Sequence, residues 1–345
     1  MASPSDAPRG GKEPDASAVP ARGAKRRNWL GWGLALAILA SCLFFVDLRQ
    51  IGAALRHLEL WQIALLVLIS TVDRLLMAVR WGLLLRMAGV GLPMRRIIRI
   101  FFQASFSGAF LPSHVGGDVL RGYWVARESG VGHPVAASLL VERLLGLVSA
   151  VNWALVGGAT FASVLMPARI GIWVGLALIA GIAANFAFAS LLSPQMHRLV
   201  LGLLGRYRQR RLVRILHDFA AACVELGTDR RGLAINLALT LLEQAVQMLL
   251  ICSIALSIGV HAQPIAFAAA TTLYMLLVRI PIAPDGWGVG ELSAIGIYSL
   301  IGVGATEAFT VSLVAHVIPV LALTPGLLFL LHWWSMPGAL EARRP

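Results

Sequence analysis

Apolar residues in this chain fall in long unbroken runs, and polar residues gather between them. Runs at 29–46, 61–85, 134–160, 170–193, 232–259 and 307–333 are each long enough for a helix to cross the roughly 30 Å hydrocarbon core of a bilayer. The runs are continuous and do not alternate, which excludes a transmembrane β-barrel. The pattern predicts an all-α polytopic membrane protein with about six full spans.

Two further apolar segments are interrupted. The first joins arms at 97–112 and 119–128 through Phe110-Leu111-Pro112-Ser113-His114-Val115-Gly116-Gly117-Asp118. The second joins arms at 265–281 and 292–303 through Pro284-Asp285-Gly286-Trp287-Gly288-Val289-Gly290-Glu291. Proline removes a backbone donor and glycine weakens a helix, so Pro112, Gly116 and Gly117 form one backbone break. Pro284, Gly286, Gly288 and Gly290 form the other. Broken backbone at membrane depth is tolerated where protein or a watery cavity satisfies it. Short arms around a break predict re-entrant helical hairpins.

Composition agrees with the hydropathy pattern. The chain is 58% hydrophobic and 13% charged, against about a quarter charged for a soluble domain. Its net charge is +12, and all but Lys12 and Lys25 of its 29 basic residues are arginine. These lie mostly between spans, as orienting charges with affinity for anionic headgroups rather than for nucleic acid. Residues 1–28 are expected to be a disordered basic cytoplasmic tail, and 336–345 a second cytoplasmic tail. The arginine-rich interval 194–231 is expected to be a cytoplasmic linker with an amphipathic helix. Arg86, Arg95, Arg96 and Arg99 read as a cytoplasmic loop. This charge placement puts both termini on the cytoplasmic side of the inner membrane.

The spacing of polar residues suggests an internal repeat. Pro112 precedes Gly116 by the interval that separates Pro284 from Gly288. Asp118 to Arg143 and Glu291 to His316 span equal intervals, and Asp73 and Glu243 both sit mid-span. The expected arrangement is two inverted-topology repeats, 29–160 and 170–333, within a transmembrane domain at 29–335.

Ionisable groups inside spans are costly, so they are paired or functional. Arg121, Arg143, Arg80 and His316 are the candidate ligands for a phosphate-bearing headgroup, because a guanidinium presents a planar fork to phosphate. Asp118, Glu142, Glu291, Asp73 and Glu243 are the candidate charge-balancing or proton-coupling groups. Asp73 and Arg80 are two helical turns apart and share a face. Arg74 and Arg279 also lie near predicted spans, and His114 is a candidate titrating group beside the first break. Trp153, Trp173, Trp287, Trp333 and Trp334 read as interfacial anchors. Cys42, Cys223 and Cys252 have neither pairing nor metal-ligand spacing and read as small buried hydrophobes. No metal, cofactor or catalytic residue is expected.

At these residues the chain resembles the lysylphosphatidylglycerol synthase transmembrane-region family, also called flippase-like. The likeness rests on Phe110-Leu111-Pro112 with Gly116-Gly117-Asp118 and Arg121, on Glu142-Arg143 with Gly146, and on Pro281 through Glu291. It covers about residues 30–335. The resemblance implies a domain that moves lipids across the membrane, with aminoacylated phosphatidylglycerol as the cargo where a soluble aminoacyl transferase domain is also present. This sequence leaves no stretch for that domain, so synthase activity is not expected. The family offers arginine where this chain has His316.

The reading from sequence is therefore a lipid flippase or transporter for a phospholipid or polyprenyl-phosphate-linked lipid, working through a polar cavity between two hairpins. Its expected partners are anionic membrane lipids. A membrane-embedded lipid-modifying enzyme, or an accessory subunit of a lipid or envelope synthesis enzyme, are the alternatives. Nothing in the sequence assigns an oligomeric state.

Overall fold

The computed structural model describes residue 33 and residues 36–109, 116–165, 170–191, 193, 195, 221–279 and 286–334. Both expected tails, most of the 194–231 linker, and Pro112, His114 and Pro284 lie outside the described residues. Every regular element among the described residues is helical.

Residues 36–42 are helical, and the chain then turns into α1, Leu48–Arg56. Asp47 starts α1 by accepting from the backbone N–H of Arg49 at 2.8 Å, the N-cap bond a short helix needs. Its own N–H donates to Thr306 Oγ1 at 3.1 Å, tying the two halves of the chain. Two helices of 28 residues form the centre: α2, Leu60–Met87, and, later in the chain, Arg230–Ser257. Between them come α3, Met94–Ala109; α4, Gly116–Ser129; α5, His133–Leu165; and α6, Ile170–Leu191. The second long central helix is α7. It is followed by α8, Pro264–Val278; α9, Val289–Ser299; α10, Ala305–Ala322; and α11, Thr324–Trp334.

Five apolar stretches are long enough to cross a membrane: Leu60–Met87, His133–Ser163, Gly171–Ser190, Arg230–Ser257 and Ala305–Leu331. They coincide with five of the six expected spans. The sixth, 29–46, is described only at residue 33 and from residue 36. The Gly171–Ser190 span is almost wholly exposed, with 6% of its residues buried, so lipid is its main solvent. The chain is an all-α polytopic membrane protein.

The arms of the two broken segments are short. α3 has 16 residues and α8 has 15, about 24 and 22 Å of helix, less than the hydrocarbon core. α3 packs on α4 and α8 on α9, giving two antiparallel hairpins.

Several helix contacts recur when the halves are exchanged. α2 packs on α7; α2 also meets α10 as α7 meets α5; α3 meets α11 as α8 meets α5. The helix ends match too. Val90 N–H reaches Leu85 O at 2.8 Å and Val260 N–H reaches Ala255 O at 2.9 Å. The glycine before each, Gly89 at φ 74° and Gly259 at φ 81°, takes the left-handed conformation that this helix end requires.

Three features differ from the sequence expectation. The last span is two helices, not one: it ends as α10 at Ala322 and restarts as α11 at Thr324. Pro325, without an N–H, suits the first turn of the new helix. Arg95, Arg96 and Arg99 belong to α3 rather than to a loop. Arg96 pairs with Glu128 of α4 at 2.9 Å, and Arg99 lies over the Phe329 ring of α11. Gly116 and Gly117 open α4 rather than forming part of the break. A side chain on Gly108 of α3 would meet Gly117 Cα at 2.5 Å, so glycine on both arms permits their closest approach.

Candidate functional site

Among the described residues, the buried ionisable groups of the spans and hairpins fall into one network and one separate pair. The network begins where α2 crosses α7. Asp73 is buried and pairs with Arg74 at 3.0 Å. Two turns along α2, Arg80 pairs with Glu243 of α7 at 2.6 Å, with both side chains almost wholly buried. Asn236, also on α7, donates to the Arg80 carbonyl at 2.9 Å. A buried pair of this kind does not by itself add much stability, but removing one partner is costly.

The second part of the network lies between α4 and α5. Arg121 is held from four sides. It donates to Asp118 Oδ1 at 2.7 Å and to Glu142 Oε2 at 2.7 Å, and its guanidinium sits over the rings of Trp81 and Phe101. Trp81 is fixed in turn by its N–H to Ser138 Oγ at 3.2 Å. Asp118 spends its other oxygen on Arg143, accepting from Nε at 2.8 Å and also from Nη2. Asp118 thus bridges two arginines.

Arg279, just past the end of α8, joins the two parts. Its electrostatic neighbours are Glu243, Arg80, Asp73 and Arg143. Its Nη1 stands 3.4 Å from where a Cβ of Gly146 would be. Gly146 is the glycine of the Glu142-Arg143-x-x-Gly146 motif, and it leaves the α5 surface open for this guanidinium.

The separate pair belongs to the second hairpin. Glu291 is fully buried, and its Oε1 lies 3.1 Å from His316 Nδ1. Its Oε2 accepts from the Gly288 N–H at 2.7 Å, capping α9. Gly286 and Gly288 hold φ of 77° and 80°, conformations that disfavour other residues. A side chain on Gly290 would strike His316 Cε1 at 2.7 Å. Three of the four expected break residues here thus shape the seat of Glu291 and His316.

Not every candidate is available to a ligand. Arg121 and Arg80 are 5% and 3% exposed and already paired, so they organise the site rather than offer a free fork. Arg143 is 47% exposed. His316 stacks on the half-buried Trp287 at 4.7 Å. Trp153 donates to the Leu241 carbonyl of α7 at 3.2 Å. Sequence reasoning did not rank Arg279 as a ligand; no spacing links it to Gly146, which only folding brings near.

Several buried polar atoms in the network have no hydrogen-bond partner among the described residues, among them Asp73 Oδ1, Arg74 Nε and Arg80 Nε. Among the described residues, no three His, Cys, Asp or Glu side chains are grouped to hold a metal ion. A cavity of about 630 Å³ lies between α5 and α6, not between the hairpins, and is lined by Asn152, Asn185, Thr160, Ser163 and mostly apolar residues besides.

A helical membrane protein with paired hairpins and an arginine–carboxylate network defines the class. The lysylphosphatidylglycerol synthase TM region family matches residues 32–326, and the chain belongs to that family. The chain is also similar to a UPF0104 membrane protein of Methanothermobacter thermautotrophicus. The two are 22% identical over 314 residues, which cover 84% of this chain and 89% of that protein.

Proposed function

We propose that this protein moves a phosphate-bearing lipid across the cell inner membrane, with the headgroup drawn to the arginine network while the tails stay in the bilayer. The observation that carries this reading is the network itself. Arg74, Arg80, Arg121, Arg143 and Arg279 sit with four carboxylates inside a protein whose outer helices face lipid. Charge at membrane depth costs several kcal/mol per group, and phosphate is a natural partner for several guanidiniums.

The matching of the two halves supports an inverted pair of hairpins, with α3–α4 entering from the cytoplasmic side and α8–α9 from the other. Both termini are then cytoplasmic. The network is closed in this state, since its four carboxylates are held by Arg74, Arg80, Arg121 and Arg143. A headgroup enters when the Asp118–Arg143 contact opens, because Arg143 is the exposed arginine of that pair. Aminoacyl transfer forms no part of this reading.

Reconstitution tests it. Proteoliposomes carrying the folded protein should speed the transbilayer movement of a fluorescent-tailed phospholipid or polyprenyl phosphate above that of protein-free vesicles. No acceleration for any phosphate-bearing lipid would refute the proposal. Formation of a new lipid species instead would mark an enzyme, and indifference to lipid with tight capture of an envelope synthesis enzyme would mark an accessory subunit.

A further inference from the structure

The charges of the network do not balance. Asp73, Glu243, Asp118 and Glu142 are its four carboxylates, and each stands within ion-pairing distance of Arg74, Arg80, Arg121 or Arg143. Arg279 is a fifth guanidinium. Among the described residues no carboxylate lies within ion-pairing distance of it, and Glu243 and Asp73 act on it only from farther away. Among the described residues, five guanidiniums against four carboxylates leave one positive charge. That charge sits beside Gly146, on the α5 surface that also carries Arg143.

An uncompensated charge at membrane depth is unfavourable, and an anion that neutralises it recovers that cost. The buried donors Arg74 Nε and Arg80 Nε, which have no hydrogen-bond partner among the described residues, add to the anion-attracting character of the same network. A ligand with one net negative charge closes the balance. A zwitterionic headgroup brings a phosphate but also an ammonium that the arginines repel, and a cationic headgroup adds to the excess.

Resting on the lipid-headgroup reading above, we propose that Arg279, acting with Arg143 beside Gly146, is the specificity-determining contact of the site. It selects headgroups of single net negative charge over zwitterionic and cationic ones. Arg279 caps the C-terminal end of α8, which packs along α5.

The experiment is equilibrium binding to the full-length protein in detergent, with fluorescent-tailed phosphatidylglycerol, phosphatidylethanolamine and a cationic ethylphosphocholine lipid. Phosphatidylglycerol should bind roughly tenfold more tightly than the other two, a difference of about 1.4 kcal/mol. Arg279→Gln should abolish the preference, while Arg279→Lys, which keeps the charge, should retain most of it. Thermal unfolding confirms that each variant is folded. Gly146→Val, which crowds the guanidinium without touching any charge, gives a second reading should Arg279→Gln fail to fold. Water-soluble glycerophosphoglycerol in large excess should not displace the lipid; displacement would assign the site to a free phosphodiester and overturn the lipid assignment.

Equal binding of the three lipids by the wild type, or an intact preference in folded Arg279→Gln, would overturn the proposal. The outcomes also separate it from lipid movement. An Arg279-dependent preference without transbilayer movement sinks the transport reading alone. Movement whose lipid preference survives Arg279→Gln sinks this one alone.

Discussion

Asp118 on α4 and Arg143 on α5, 25 residues apart in the chain, are joined by an ion pair. Glu291 on α9 and His316 on α10 stand in the same relation at the same interval, 3.1 Å apart. In each half a carboxylate in the first turn of the second hairpin arm faces a basic group on the next long helix. The first pair joins a carboxylate to a guanidinium, whereas in the second the basic partner is an imidazole.

Asp118→Asn preserves shape but removes the charge that Arg121 and Arg143 share. A hydrogen bond to a charged group contributes about 1.5–3 kcal/mol, which as a barrier change corresponds to roughly tenfold or more in rate. Lipid movement in proteoliposomes should speed up by roughly that factor, because the contact that must open for headgroup entry is weakened. An unchanged rate at equal incorporation of folded protein would remove Asp118 from the site.

Arg80 and Glu243 provide a test of the buried crossing of α2 and α7. Glu243→Ala should destabilise the protein by about 3–5 kcal/mol, because it leaves Arg80 charged and unpaired. Arg80→Met combined with Glu243→Leu should recover most of that loss. Unfolding in detergent, analysed as a double-mutant cycle, measures both. If the double variant is as unstable as Glu243→Ala, the pair is not the source of the cost.

The two hairpin arms should tolerate glycine substitution unequally. Gly108→Ala places a methyl group against the backbone of Gly117 and should cost about 1–3 kcal/mol. Gly296→Ala on α9 meets nothing within 4 Å and should stabilise by about 0.5–1 kcal/mol through helix propensity. Paired melting curves in the same detergent give the comparison, and equal shifts would contradict the close packing of α3 on α4.

Cys223, in the helical residues 221–228 outside the spans, is buried against the α2, α5 and α6 core, and burial pushes its thiol up to about 11. It should therefore stay protonated and resist maleimide at pH 8 until the protein unfolds. The raised value also means that the folded state holds this proton more firmly than the unfolded chain. Its contribution to stability is present below the ordinary thiol range and is lost as pH rises through about 11. Rapid labelling of Cys223 in native protein at pH 8 would show the packing around it to be open.

Sequence by itself determined the class of fold and the five described spans, because apolar runs of bilayer length have no other stable home. It also determined the equal spacings of Asp118 with Arg143 and of Glu291 with His316, which proved to be contacts. Only the tertiary structure decided which arginines are committed. Arg121 and Arg143 look alike in sequence, but one is enclosed by Trp81, Phe101 and two carboxylates while the other is half exposed. Only it brought Arg279 beside Gly146, more than a hundred residues earlier, and moved Gly116 and Gly117 from the break into a helix contact. The division follows from range. Hydropathy and cap residues act within a few turns of chain, whereas pairing and burial depend on which helices meet, and that is set by packing across the whole molecule.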